Sequence, residues 1–232
     1  MAVLDRDNSA ADQMMSRALH GQISGGELQN NLLREFQLGY PLNKLRLLLR
    51  SEDENITAAG MWIASELGAG VRPLFADIVD LIHHPALKVR FFSLDCVLVC
   101  AGVGDQRAIN LGLDLVDDPE PAVRWKAMIF TSAVSDTVLR AALREPVVDE
   151  SARKRRQVLE ILLDSAATHD SAAITARLAD SDPLVRRYAA AIAARVAHTD
   201  AGPLRQAMQS SDSTIKQFAV DMERRTRAAP VW

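Results

Sequence analysis

The sequence predicts an all-α fold: a curved α-solenoid of about six helical hairpins, closed at its ends by capping helices. Three observations predict it. First, one block recurs along the 232 residues, opening at Ile56-Thr57, Val89-Arg90, Val123-Arg124, Lys154-Arg155, Val185-Arg186 and Ile215-Lys216. The steps between openings are 33, 34, 31, 31 and 30 residues, and a fixed period in this range marks stacked units, each unable to bury its apolar side alone. Second, four of the six openings follow a turn signal: HHPALKVR, DDPEPAVR, SDPLVR and SSDSTIK share one grammar. Third, no window shows sustained period-2 alternation with β-branched residues, so no sheet is expected.

The elements follow in order. Residues 1–24 are polar and read as a loosely ordered segment. A single repeat domain is expected over 25–227, with 228–232 as a tail. Gly26 to Gln37 reads as a helix with Leu28, Leu32, Leu33 and Phe36 on one side, suited to cover the apolar edge of the first repeat. PLNKLRLLLR and VRPLFADIVDLIHH supply the first helices of the first two hairpins. In the third, Asp105 can cap a helix through Gln106 to about Val116, with Ile109, Leu113 and Val116 at helical spacing. Asp118-Pro119 cannot continue it, and Pro121 suits the first turn of the next helix, which runs from Ala122 to about Ala133. TVLRAALREP, SAAITARLAD and GPLRQAMQSS begin the last three hairpins, and the Lys154-Arg155 block is degenerate. Glu223, Arg224 and Arg225 give the final helix a polar closing face.

Two positions inside the block have a predictable physical role. Gly60, Ser93, Ala127, Ala189 and Ala219 share one repeat position, where a small side chain lets neighbouring helices approach closely. The Arg one residue after each opening, in Arg90, Arg124 and Arg186, can reach a turn carboxylate or carbonyl of its own or the next unit.

The composition narrows the function classes. Net charge is -3, whereas a protein that tracks phosphates carries a basic excess. Residues 1–116 hold 10 Lys/Arg against 14 Asp/Glu, and residues 117–232 hold 17 against 16. Cys96 and Cys100 stand four apart on one predicted helix and read as small buried residues, not as a disulfide framework. The N-terminus has no apolar stretch of signal-peptide type, and no run approaches ~18 apolar residues. A cytoplasmic protein with no membrane segment is expected.

No motif for catalysis is present: GxGxxG, the P-loop, GxSxG, HExxH and CxxC are all absent. His20, His83, His84, His169 and His198 fall in predicted turns or helix ends, where solvated or capping roles prevail. Asp114, Asp117 and Asp118 crowd together, but Asp118 before Pro119 fits a turn or a cap. No catalytic residue, metal or cofactor is expected.

Helical geometry places a binding surface. With ~100° per residue, an apolar stripe at repeat offsets 0, 4, 5 and 8 leaves offsets 2, 6, 9 and 10 pointing away. Those offsets carry Trp62, Glu66, Phe91, Asp95 and Trp125, extended by Arg156 and Arg187. Aromatics and arginines on an exposed concavity are the material of protein-binding hot spots, so these seven residues form the expected partner-binding site.

The D-P-x-x-V-R turn-helix signature, in SDPLVRRYAAAIAARVA and DDPEPAVRWKAMIFTSA, resembles the HEAT-like repeats of α-solenoids, in the short form seen in phycobilin lyase subunits. The likeness covers about residues 41–227 and implies a right-handed stack of curved helical layers. The period is shorter than the ~40–47 residues of HEAT and armadillo units. Iron-binding HEAT-like hydroxylases use His-Glu pairs, and this chain has no His-Glu dipeptide. The stretch FQLGYPLNKLRLLLRSEDENITAAGMWIASELG resembles bacterial HEAT-like immunity proteins, which implies a toxin domain as the partner. The expected function is therefore a non-enzymatic module gripping another protein in its groove; the alternative is a HEAT-like DNA glycosylase or a chromophore lyase.

Overall fold

The structure, a computed structural model, describes residues 7–23, 26–146 and 150–228. It is all-helical, with no strand among the described residues. The chain forms two compact units, Met1–Cys100 and Ala101–Trp232. The boundary falls inside what periodicity alone reads as one domain over 25–227. The tail from 229, with Trp232, lies outside the described residues, as do 1–6 and 24 of the N-terminal segment.

The first unit contains α1 (Ser9–Arg17), α2 (Glu27–Gln37), α3 (Leu45–Leu49), α4 (Glu54–Leu67), α5 (Phe75–Asp80) and α6 (Leu87–Cys100). Where the sequence leads one to expect a loosely held segment, α1 is a helix with Ala11 and Met15 buried, followed by buried Ala18. Their spacing of four and three residues makes a short apolar stripe, too brief to stand out in a polar stretch. Tyr40 pins α1 by donating to Asp12 at 2.6 Å. Gly39, at φ +99, ends α2 and turns the chain so that Tyr40 can reach back. The remaining helices stack in chain order: α4 packs on α2, α3 and α6, and α5 on α6. Gly60 makes the α3–α4 approach possible, because a Cβ there would stand 2.8 Å from Cβ of Leu48.

The second unit contains α7 (Gln106–Asp114), α8 (Pro121–Ala133), α9 (Asp136–Leu143), α10 (Glu150–Ala167), α11 (Ser171–Leu178), α12 (Pro183–Val196), α13 (Gly202–Ala207) and α14 (Ser213–Ala228). Consecutive stacking would set α8 against α10. Instead α8 packs on α12 and α14, while α10 packs chiefly on α12 and α11. The cause is in the degenerate repeat. The opening residue of the other five blocks is buried: Ile56, Val89, Val123, Val185 and Ile215. Its counterpart Lys154 is exposed and bonds Asp182 at 3.0 Å. A lysine cannot enter that seam without losing its hydration, so α10 anchors through Leu159, Leu162 and Leu163 instead.

The turns repeat one construction. Asp53, Asp182 and Asp212 cap α4, α12 and α14 by accepting backbone N–H groups. Asp118 accepts the N–H of Glu120 at 2.9 Å. Asp105, expected to cap α7, instead accepts the N–H of Gly102. Each repeat arginine donates to two consecutive carbonyls of its own turn. Arg90 reaches those of His84 and Pro85 at 2.9 and 2.6 Å. Arg124 reaches those of Asp118 and Pro119, both at 2.8 Å. Arg186 reaches those of Asp180 and Ser181 at 2.7 and 2.9 Å. These carbonyls lie where the helical ladder has run out, so the two N–H groups of one guanidinium nitrogen, Nη1, supply donors the backbone cannot.

Asp77 on α5 links successive hairpins of the first unit by accepting from Arg46 at 2.9 Å and Arg50 at 2.6 Å. Burial alone would raise its pKa, but the two guanidiniums together outweigh it and hold the carboxyl below the usual range.

Two measurements test this packing. Ala189 is fully buried at the small-residue position of α12, so Ala189→Leu should cost about 1–3 kcal/mol in thermal unfolding. Because the folded pKa of Asp77 is depressed, its contribution is complete above about pH 4 and fades as pH falls through the folded value. Asp77→Asn should therefore destabilise the protein by about 1–2 kcal/mol at pH 7, the lower part of the range because both arginines reach water. The difference from the parent chain should shrink under acid.

Candidate functional site

The expected seven residues divide between the two units, and the second unit uses its share internally. Trp125 on α8 is half-buried, and its indole N–H donates to Asp221 of α14 at 3.2 Å. Gln217 holds the same carboxylate from the adjacent turn, at 3.0 Å to each oxygen. Arg187 on α12 bonds Asp117 at 2.6 Å and Asp212 at 3.4 Å, and its side chain is 11% exposed. Ile129 and Ala191, at the offset expected to face a groove, are buried. Arg195 donates to the carbonyls of Thr131, Ser132 and Val134 and bonds Asp136. Trp125 and Arg187 are thus parts of a seam among α8, α12 and α14, not of an open surface. Arg156 donates to the carbonyl of Glu145 and lines a small cavity of ≈ 140 Å³ with Asn110, Asp114, Arg155 and Tyr188. Burial raises the Tyr188 hydroxyl, which donates to the Leu113 carbonyl at 3.1 Å.

The carboxylates of 114–118 are engaged. Asp114 pairs with Arg155 at 2.9 Å, Asp117 with Arg187, and Asp118 forms the turn. Among the described residues no three His, Cys, Asp or Glu side chains converge as metal ligands would. His84 accepts the N–H of Ala86, while His20 and His198 approach the carbonyls of Ser16 and Arg195 through Nδ1.

The first unit keeps an open face. A cleft of ≈ 470 Å³ lies among α2, α4 and α6, lined by Ile23, Gln29, Asn30, Ala58, Trp62 and Phe92, with Asn55 and Lys88 at one end. Ala58 and Ala59 make a floor of small side chains. Trp62 and Phe92 are half-buried against the core beneath. Among the described residues, no protein partner engages the carboxamides of Gln29, Asn30 and Asn55, the indole N–H of Trp62 or the ammonium of Lys88.

Of the expected residues in this unit, the cleft contains Trp62 but not Phe91, Asp95 or Glu66. Phe92, one position on, takes the place assigned to Phe91, and the two rings meet edge to face at 5.4 Å. Asp95 is half-buried and Glu66 exposed. Asn55 and Lys88 were legible but missed. Both precede a block opening by one residue, and the ~100° step that puts offsets 2, 6 and 10 on one face puts offset -1 there too.

No family model matches the chain, and no curated protein matches it. Among solved structures, two crystal structures of engineered proteins align with it, each at 14% identity. One match covers 94% of this chain and 89% of the other with a TM-score of 0.39; the second covers 98% and 67% with a TM-score of 0.43. At that level of likeness neither bears on fold or function.

The two tryptophans should therefore respond differently to truncation. Trp125→Ala should lower unfolding stability by about 2–3 kcal/mol, below the ~3–5 kcal/mol of a fully buried tryptophan. Asp221→Ala should cost about 1 kcal/mol through the lost indole bond. Trp62→Ala should cost less than Trp125→Ala, which paired calorimetry of the variants would read.

Proposed function

We propose that this chain is a HEAT-like repeat protein, a right-handed stack of about six helical hairpins, that binds another protein without catalysing a reaction on it. The cleft of the first unit is its binding surface. The observation that carries this reading is the set of polar groups around Trp62, which no described residue engages although each stands on a well-packed helix. Elsewhere the same chemistry is consumed internally: Trp125 by Asp221, Arg187 by Asp117 and Asp212. A rigid aromatic with a free donor, set above small side chains and ringed by carboxamides, supplies contact area at low entropic cost. Among the described residues, none lining the cleft offers a nucleophile with a base beside it, and those of the first unit form no basic stripe of the kind that tracks phosphates.

No helix among the described residues is long and apolar enough to cross a membrane. The likeness of residues 36–68 to immunity proteins singles out a toxin domain, and an inhibitor of that kind needs only to occupy a surface.

The test compares Trp62→Ala with the parent chain in affinity capture, with melting followed on the same samples. A captured protein should bind the variant roughly 30-fold or more weakly, corresponding to a hot-spot loss of about 2 kcal/mol. A lowered melting temperature with unchanged affinity of the folded fraction would make Trp62 a packing residue and remove the cleft from consideration.

A further inference from the structure

We propose that the cleft of the first unit takes an extended peptide segment in which an acidic side chain stands three residues from a large apolar one. This rests on the reading that the cleft binds protein, and it names the chemistry of what is bound.

Charge is the first argument. Among the described residues lining the cleft, Lys88 is the one that is charged. It is the second residue of the 14-residue α6, so its ammonium stands at the positive end of that helix. Asp53 already caps α4 with its carboxylate, and Glu27 sets a negative charge in the first turn of α2, which leaves α6 and Lys88 as the end that favours an anion. Asn55 stands beside it and can donate an amide N–H to the same carboxylate.

Length is the second argument. Trp62 lies seven residues beyond Asn55 on α4, about 10.5 Å along the helix at ~1.5 Å per residue. A chain extended as polyproline II rises ~3.1 Å per residue and returns to the same face every third residue, so that distance spans about three residues with both side chains on one side. A segment with its acid at Lys88 and Asn55 therefore sets the side chain three residues on against Trp62 and Phe92.

The remaining groups suit the backbone between those anchors. Carboxamides both donate and accept, as a peptide unit does, and Gln29 and Asn30 face the cleft from α2. Ala58 and Ala59 keep the floor low enough for close approach of main chain.

Fluorescein-labelled, end-capped hexapeptides provide the probe. Each carries Glu, Gln or Lys at one position and Leu, Trp or Ala three residues later, and anisotropy is read against the full-length chain. The Glu–Leu and Glu–Trp peptides should bind best, and replacing Glu by Lys should weaken binding about fivefold or more. Lys88→Glu, on an exposed helix turn, should reverse that preference without altering melting. Trp62→Ala should abolish binding of every peptide.

Binding that needs Trp62 but ignores the acid, or that is unmoved by Lys88→Glu, overturns this inference and leaves the protein-binding reading standing. So does a Trp62-dependent protein partner when no hexapeptide binds up to its solubility limit. Displacement of the peptides by a single-stranded oligonucleotide would overturn both, as would peptide binding and protein capture that are both indifferent to Trp62.

Discussion

One guanidinium nitrogen donating to two consecutive turn carbonyls is the contact from which the rest of the architecture follows. A helical hairpin must reverse direction in a few residues, and the reversal strands carbonyls at the end of the first helix. Arg90, Arg124 and Arg186 each satisfy two of them from the first turn of the second helix. The donor and acceptors are five and six residues apart, so the bond fixes where the second helix begins and how it is rotated. Rotation then decides which side chain meets the neighbouring helix. Three residues after the arginine stand Ser93, Ala127 and Ala189, all fully buried. A lysine in the arginine's place could not bridge two carbonyls with the same fixed geometry.

Much of this was legible in the sequence. The capping aspartates, the proline at the start of α8, the arginine position and the small residue three places later are local features, and local features survive folding unchanged. The choice of neighbour is not local. Periodicity reports where each hairpin starts, but it does not say which helix an apolar stripe will meet. Lys154 held the clue: a charged residue at a position that is otherwise Val or Ile cannot join the shared seam. The face of α8 that a conventional α10 would cover is occupied by α12 and α14, and Trp125 is enclosed as a result.

The same repeat offset thus yields two different surfaces. In the first unit, Trp62 looks onto a cleft because nothing within that unit follows α6 to fill it. In the second, the equivalent face is closed by helices that come much later in the chain. Trp62 lines the cleft, and on α6 the lining aromatic is Phe92, the neighbour of Phe91.

The seam in the second unit has a consequence for how that unit comes apart. Ideal repeat arrays have only nearest-neighbour couplings, so they can fray one repeat at a time. Here Trp125–Asp221, Arg124–Thr214, Arg187–Asp117 and Tyr188–Leu113 join residues 70 to 96 positions apart. Such closures must be made late, after a large loss of chain entropy, and they tie the first and last hairpins of the unit into one cooperative block. The helices of the first unit stack in chain order, so one polypeptide with one sequence repeat contains both a zipper and a knot of mutual dependence.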